Sequence, residues 1–334
     1  MCAVDAPDVV FGVSHAGRRA VCSGGSAPEP AVPRERLRFE IGSATKTFTG
    51  LLLAELVASG RVRAGDPAAR LLLGGPAGGP SARTTLFHLA THTGGLPRLP
   101  PGFYRQALPA WRTNPYADHP ARRVVEAFLA AEPRWEPGAR WHYSNFGAAV
   151  LGHALAAAEG VPWEEAVRAR VLEPLDSVDV RLAPQGPATD AVGHRRDGVT
   201  PVPPLLTAGF APAGAVRAGV HGLLGYLEAH LPPERTAGDA VAPATDSLAA
   251  ALREVRRPVL RRGRGGCEAH TLTWFRHDGA QGPMLFHAGA TCGQQAFLGF
   301  CPEAGTAVVA LSSRRFRRGD GLADAACALL GALR

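Results

Sequence analysis

The sequence predicts an α/β fold of the α+β type: one antiparallel sheet formed from both chain ends and flanked by helices, with a mainly helical domain inserted and the active site between the two. Three observations carry this expectation. Strand-like segments cluster before residue 25 and again after residue 269. Stretches with apolar residues at helical spacing fill most of the region from 61 to 205. A last helical pattern then follows the final strand. The expected division is residues 1–60 with 206–334 as a discontinuous α/β domain, and 61–205 as the helical one.

In chain order, "VVFGVSHAGRRAVCSGG" reads as two short strands around a turn at Ala16 to Arg18, because β-branched and small apolar residues flank a glycine. Residues 24–37 form a proline-rich connection, "RFEI" a short strand, and a helical pattern runs from Ser43 to about Ser59, stopping at Gly60. "TTLFHLATHTGG", "ARRVVEAFLAAE", "FGAAVLGHALAAAEG" and "PWEEAVRARVLEPL" have helical spacing. "PLLTAGFAPAGAVRAGVHGLLGYLEAHL" reads as a loop and then a helix. Strands return in "HTLTWFRHDG", "GPMLFHAG", "QQAFLGFCPEAG" and "TAVVALSS", and Asp320 is placed to cap a closing helix.

Composition bounds the function only loosely. The 334 residues, 46% of them hydrophobic, suffice for one large core or two packed ones. The net charge of +7 gathers in "REVRRPVLRRGRGG" (253–266) and "RRFRR" (314–318). No nucleic-acid motif or interleaved aromatic accompanies these arginines, so they read as solvated surface, and no nucleic-acid partner is expected. The six cysteines show no CxxC pair and no metal-ligand spacing, which reads as buried or partly buried free thiols and no metal site. No signal-type apolar run opens the sequence and no stretch is long enough to span a membrane, so the expectation is a cytoplasmic protein without membrane partners.

One residue type is informative by its rarity. Lys46 is the sole lysine beside 35 arginines, and it follows Ser43 by three positions. On a helix that spacing puts both side chains on one face. A serine hydroxyl is a weak nucleophile until a neighbouring base takes its proton, and a desolvated lysine can become neutral where arginine cannot. A lysine that arginine has not replaced is therefore a candidate for a neutral amine, although a leftover surface lysine would show the same spacing. Competing motifs fail: "GVSHAG" around Ser14 misses the GxSxG elbow, there is no HExxH, and Lys46 follows no P-loop glycine run.

Around this pair, "FEIGSATKTFTG" resembles the SxxK segment of the serine β-lactamase and penicillin-binding-protein superfamily, in its class C β-lactamase and carboxylesterase branch. "TLFHLATHTGGLP", "WHYSNFGAAVLG" and "FHAGATCGQQAFLGFCPEAGTAVVALSS" resemble, in the same order, that family's LLTHTSGLP, YxN and KTG (or HxG) segments, so the likeness spans about 40–313. The resemblance implies roles residue by residue. Ser43 is the acylated nucleophile, and Lys46 holds a neutral amine or lowers the proton affinity of its neighbour. Tyr143 is the general base, a role that requires a cation in contact because a free phenol titrates near ~10. Asn145 binds a substrate carbonyl or amide and helps position Lys46. His287 stands in place of the KTG lysine, a departure that weakens recognition of a substrate carboxylate and disfavours efficient β-lactam hydrolysis. Gly289 allows a close backbone approach, and the amides of Ser43 and Ala290 form the oxyanion hole. His92 to Gly95 read as scaffold. Of the aromatics Phe103, Tyr104, Trp111 and Tyr116, and Trp274 by family position, Tyr104 and Trp274 are candidate substrate-binding walls, with simple packing as the alternative.

The implied chemistry is a serine acyl-transfer enzyme without a cofactor, acting on a small-molecule acyl donor and acceptor. An expected cytoplasmic location disfavours cell-wall transpeptidation, and a GC-rich composition suits tailoring of specialised metabolites. Transfer to an amine or alcohol is favoured over hydrolysis; a sensor acylated once without turnover is the alternative from a different class. A carrier-protein partner is compatible with the arginine clusters but has no motif behind it.

Overall fold

Val9–His15 (β1) and Arg18–Gly24 (β2) form the expected hairpin, and the intervening Ala16 and Gly17 both have positive φ (+47° and +76°), as a two-residue turn matching strand twist requires. The computed structural model describes residues 4–30, 32–177, 179–232, 245–262, 268–317, 319 and 321–334. Phe39–Glu40 (β3) leads into the helix Thr45–Ala58 (α1). Then follow Ala68–Leu73 (α2), Leu86–Ala90 (α3), Phe103–Ala107 (α4), Ala121–Leu129 (α5), Asn145–Glu159 (α6), Trp163–Val167 (α7), Val180–Arg181 (β4), Ala211–Gly214 (α8) and Arg217–Ala218 (β5). Val220–Glu228 (α9) and Asp246–Glu254 (α10) precede the strands Leu260–Arg262 (β6), Glu268–His270 (β7), Phe275–His277 (β8), Met284–Ala290 (β9), Gln295–Cys301 (β10) and Thr306–Ser312 (β11), and Leu322–Ala332 (α11) closes the fold.

The main sheet is antiparallel with strand order β2-β1-β11-β10-β9-β8-β7-β6, so the two ends of the chain meet at the β1–β11 pair, Val9 opposite Ser312. A second, three-stranded sheet joins β3, β5 and β4. The fold class is therefore the one expected from the sequence, with two local corrections. "HTLTWFRHDG" is two strands, because Thr271 and Trp274 close a turn through Thr271 N–H to Trp274 O and Trp274 N–H to Thr271 Oγ1, both 3.0 Å. At α11 the N-cap is Gly321 (φ +75°), and Asp320 lies outside the described residues. Among the described cysteines, Cys22, Cys292, Cys301 and Cys327 are free, and Cys22 is exposed rather than buried.

α11 covers one face of the sheet, where Leu322, Ala326 and Leu330 pack on Phe11, Phe297 and Val308. The other face carries α1 and α9 in the larger core. Every residue of α1 from Thr45 to Leu56 is buried, which is why, Lys46 and Glu55 apart, its sequence is apolar or small all round rather than on one stripe. Its buried threonines find fixed partners: Thr49 Oγ1 donates to Pro212 O (2.7 Å) and Thr47 Oγ1 to Ala44 O (2.8 Å). Among the described residues, no helix is long and apolar enough to cross a membrane.

Candidate active site

Ser43 is not the first residue of α1 but the middle of a 3₁₀ turn, Gly42–Ala44, that runs straight into it. The backbone explains the difference. Gly42 has φ +50°, and a Cβ there would lie 2.7 Å from Ala290 O and 2.8 Å from Ala290 N. Across the same seam, a Cβ on Gly289 would lie 1.8 Å from Ile41 O and 3.0 Å from Ala44 N. Two glycines thus let the end of β9 press against the serine turn backbone to backbone, so the Ala290 amide stands alongside the turn that carries Ser43. Ser43 is half-buried and opens into a cavity of about 50 Å³ that it shares with Gly42, Tyr116, Asn145, Leu205, Thr207, Phe210, Ala213, Gly214 and Ala290.

Lys46, one turn further along, is 2% exposed and donates from Nζ to Ala213 O at 3.1 Å. Burial lowers its pKa; the Tyr143 side chain opposes this by attraction and by hydrogen bonding to the amine, while Arg98 adds to the lowering. Nζ lies 5.1 Å from the Tyr143 ring centre, so the cation that a tyrosine base requires is present. Arg98 is a second one, with its guanidinium carbon 5.6 Å from the same ring. Tyr143 is held by the start of α6: Ser144 caps the helix by accepting from Gly147 N–H at 2.8 Å, and its own hydroxyl donates to Pro97 O at 2.6 Å.

His92, expected to be scaffold, packs its ring 4.5 Å from that of Tyr143, and its Nδ1 accepts the Ser144 N–H at 3.3 Å. Burial and the neighbouring Lys46 hold it well below the usual imidazole range, so it is a neutral acceptor. His287 lies on the inward face of β9 two residues before Gly289, as strand periodicity demands. Its Nδ1 sits 2.8 Å from Ala288 O, a contact only a protonated nitrogen satisfies, which leaves a lone pair on Nε2. Burial first, and then Lys46, push its pKa down to about 3. The residue in the KTG lysine position is therefore an uncharged imidazole at neutral pH.

Asn145 Nδ2 donates to the Tyr116 hydroxyl at 3.4 Å, while its Oδ1 is buried without a hydrogen-bond partner. An orphaned acceptor lining the serine cavity is available to a donor on a bound molecule. The aromatic walls differ from expectation. Trp274 is 0% exposed and packs within the core against Tyr226, His230 and Phe300, because the turn that separates β7 from β8 points it inward. It cannot touch a substrate. Tyr104 is 54% exposed and stacks obliquely on Trp111 with ring centres 5.5 Å apart, outside the residues lining the serine cavity. Tyr116 and Phe210 form that wall instead, 4.9 Å apart. Tyr116 carried a signal as one of four aromatics in its loop; Leu205, Phe210 and Ala213 come from the distant segment that leads into α8 and carried none. The wall is braced from below, because Glu40 Oε1 accepts both Leu205 N–H (2.7 Å) and Arg217 Nη2 (2.8 Å).

Sheet, central helix and a serine opening into a cavity beside a buried lysine define a protein of the serine-hydrolase type. The Beta-lactamase family model matches residues 2–332, and the chain belongs to that family. A beta-lactamase of Pseudomonas fluorescens is 26% identical over 90% of this chain and 85% of its own length. A beta-lactamase of Escherichia coli K12 is 27% identical over 58% of this chain, an alignment that spans about half (48%) of that relative. The fold is shared with a class C beta-lactamase crystal structure from Rhodobacter sphaeroides, at a TM-score of 0.80 and 20% identity, covering 98% of this chain and 95% of that one.

Proposed function

We propose that the protein is a serine acyl-transfer enzyme. Ser43 Oγ attacks the carbonyl of a small ester- or amide-like donor while Tyr143, paired with Lys46, takes the hydroxyl proton. The tetrahedral oxyanion is received by the Ser43 and Ala290 amides, and its collapse expels the leaving group, which carries that proton away. An amine or alcohol then attacks the acyl-Ser43 ester by the reverse route. The observation that carries this reading is the buried Lys46 amine, its pKa lowered, beside Tyr143 and one turn from an accessible serine. The orphaned Asn145 Oδ1 is suited to accept a hydrogen bond from the donor molecule.

A hydrolytic reading, with water as acceptor, has its own support in relatives named beta-lactamase. The uncharged His287 argues against β-lactams as the main substrate, since no fixed cation stands in that position for a carboxylate. Intact-mass spectrometry after exposure to activated esters tests the shared first step. A mass increase is expected in the native protein and none in Ser43→Ala; an increase that survives this substitution places the nucleophile elsewhere and ends the proposal. Adding an amine to the acylated protein separates the two readings, because coupled product marks transfer and free acid alone marks hydrolysis.

A further inference from the structure

A second cleft, of about 430 Å³ and larger than the serine cavity, is lined by Trp111, Arg112, Arg195, Arg196 and Arg315. Among the described residues, four guanidinium groups and no carboxylate line it. Half of the other described arginines are ion-paired, among them Arg257 with Glu254, Arg261 with Asp278, Arg262 with Glu268, and Arg314 with Asp5. The cleft arginines are different. Among the described residues Arg112, Arg195 and Arg315 form no ion pair, and Arg196 only donates from Nε to Phe316 O at 3.2 Å. Asp197, two residues after Arg195, uses its oxygens on Val199 N–H, Thr200 N–H and the Thr200 hydroxyl and feels the Arg195 charge without forming an ion pair with it.

The cleft is assembled by the same short segment that follows the candidate oxyanion amide. After Ala290 the chain turns through Thr291–Gln294; the Cys292 Sγ lies 4.0 Å from Trp111 O, and Gly293 O accepts the His194 N–H at 3.1 Å. Arg195 then follows His194, and Arg315 N–H donates to His194 O at 2.8 Å. A molecule seated among the arginines is thus one turn of chain from the serine cavity. Trp111 and the Tyr104 ring packed on it add exposed aromatic surface at the rim.

We infer that this cleft binds a diphosphate-type group, so that the enzyme selects acyl donors or acceptors with a phosphorylated, nucleoside-like end. A single carboxylate would leave most of the guanidinium charge unmatched. Two linked phosphates offer the several anionic oxygens that four forked donors can engage, and a flat base has Trp111 to stack on. The selectivity for substrates rests on the acyl-transfer reading; the anion site does not.

The test therefore has two arms. In the first, inorganic pyrophosphate is titrated calorimetrically into the Ser43→Ala protein, with and without Arg195→Gln and Arg315→Gln. Saturable binding is expected, weakened about tenfold or more for each guanidinium removed and further weakened by salt. Absence of saturable binding at low salt, or binding indifferent to both substitutions, overturns the site. Circular dichroism confirms that the variants fold. In the second arm, acetyl-coenzyme A and the N-acetylcysteamine thioester of the same acyl group compete to acylate Ser43. A preference of about tenfold or more for the phosphorylated thioester, reduced in the double variant, is expected. Equal rates overturn the selectivity. Pyrophosphate binding with no acylation by either thioester upholds the cleft and counts against the acyl-transfer reading alone.

Discussion

At the scale of single residues, the chemistry depends on whether one amine can exchange a proton where its charge is poorly solvated. Lys46→Arg keeps the charge and removes the exchange, so Ser43 acylation should fall by about 10²–10⁴-fold, read as the rate of mass increase. Retention of about a tenth of the rate or more would mean that fixed positive charge is what Lys46 supplies. The pH profile has a definite sign. The active state is the Lys46–Tyr143 pair that has lost a single proton, and burial lowers the pKa of the amine, so the rate should rise with pH and level off below the 10.5 of a free lysine. Stopped-flow acylation across pH 6 to 10 reads this directly. Ser43, Lys46, Tyr143 and Asn145 were legible in the sequence because each lies in a short contiguous motif whose spacing is fixed by a helix or its cap. Trp274 was singled out by family position alone and turned into the core, since its direction is set by a turn between strands and not by strand alternation. Arg98 follows the HTGGLP segment immediately, but nothing local indicates that it reaches the Tyr143 ring.

At the scale of elements, the site is a seam between the 42–44 turn and the end of β9. Gly289→Ala would place a methyl group 1.8 Å from Ile41 O, which must push strand and turn apart. The expected cost is about 1–3 kcal/mol of stability, read by denaturant titration, together with a loss of Ser43 acylation because the two amides no longer converge. A variant with native stability and native rate would show that the seam tolerates separation. Glu40 tests the opposite wall. Its carboxylate is buried against Arg217 and holds the Leu205 amide, so Glu40→Ala strands a buried guanidinium and should cost about 3–5 kcal/mol in the same titration. The strand and helix patterns that build these elements were visible as periodicity. The cavity wall was not, because Tyr116 and Phe210 meet from loops whose paths only the packed core fixes.

At the scale of the whole molecule, acid should unfold the protein through buried imidazoles. Burial holds His230 at about 4 and His287 at about 3, whereas both titrate near 6.5 in an unfolded chain. Between those limits the unfolded chain binds more protons, so the stability tied to the neutral rings is complete above pH 6.5 and is lost progressively as pH falls towards 4. Urea midpoints measured from pH 7.5 to 4.5 should decline, and His230→Leu should flatten the decline. An unchanged slope in that variant would assign the acid sensitivity to other groups. The fold was readable at this scale because strand-type segments sit at both ends of the chain, and the observed sheet joins them: β1 and β11 lie side by side although nearly the full sequence separates them. That pairing has a consequence for synthesis. At a ribosomal rate of roughly 5–20 residues per second, the hairpin of β1 and β2 waits tens of seconds or less for its neighbour to be made, with one apolar strand edge uncovered. A nascent chain stalled before residue 306 would hold the whole catalytic motif set and still be an aggregation hazard rather than an enzyme.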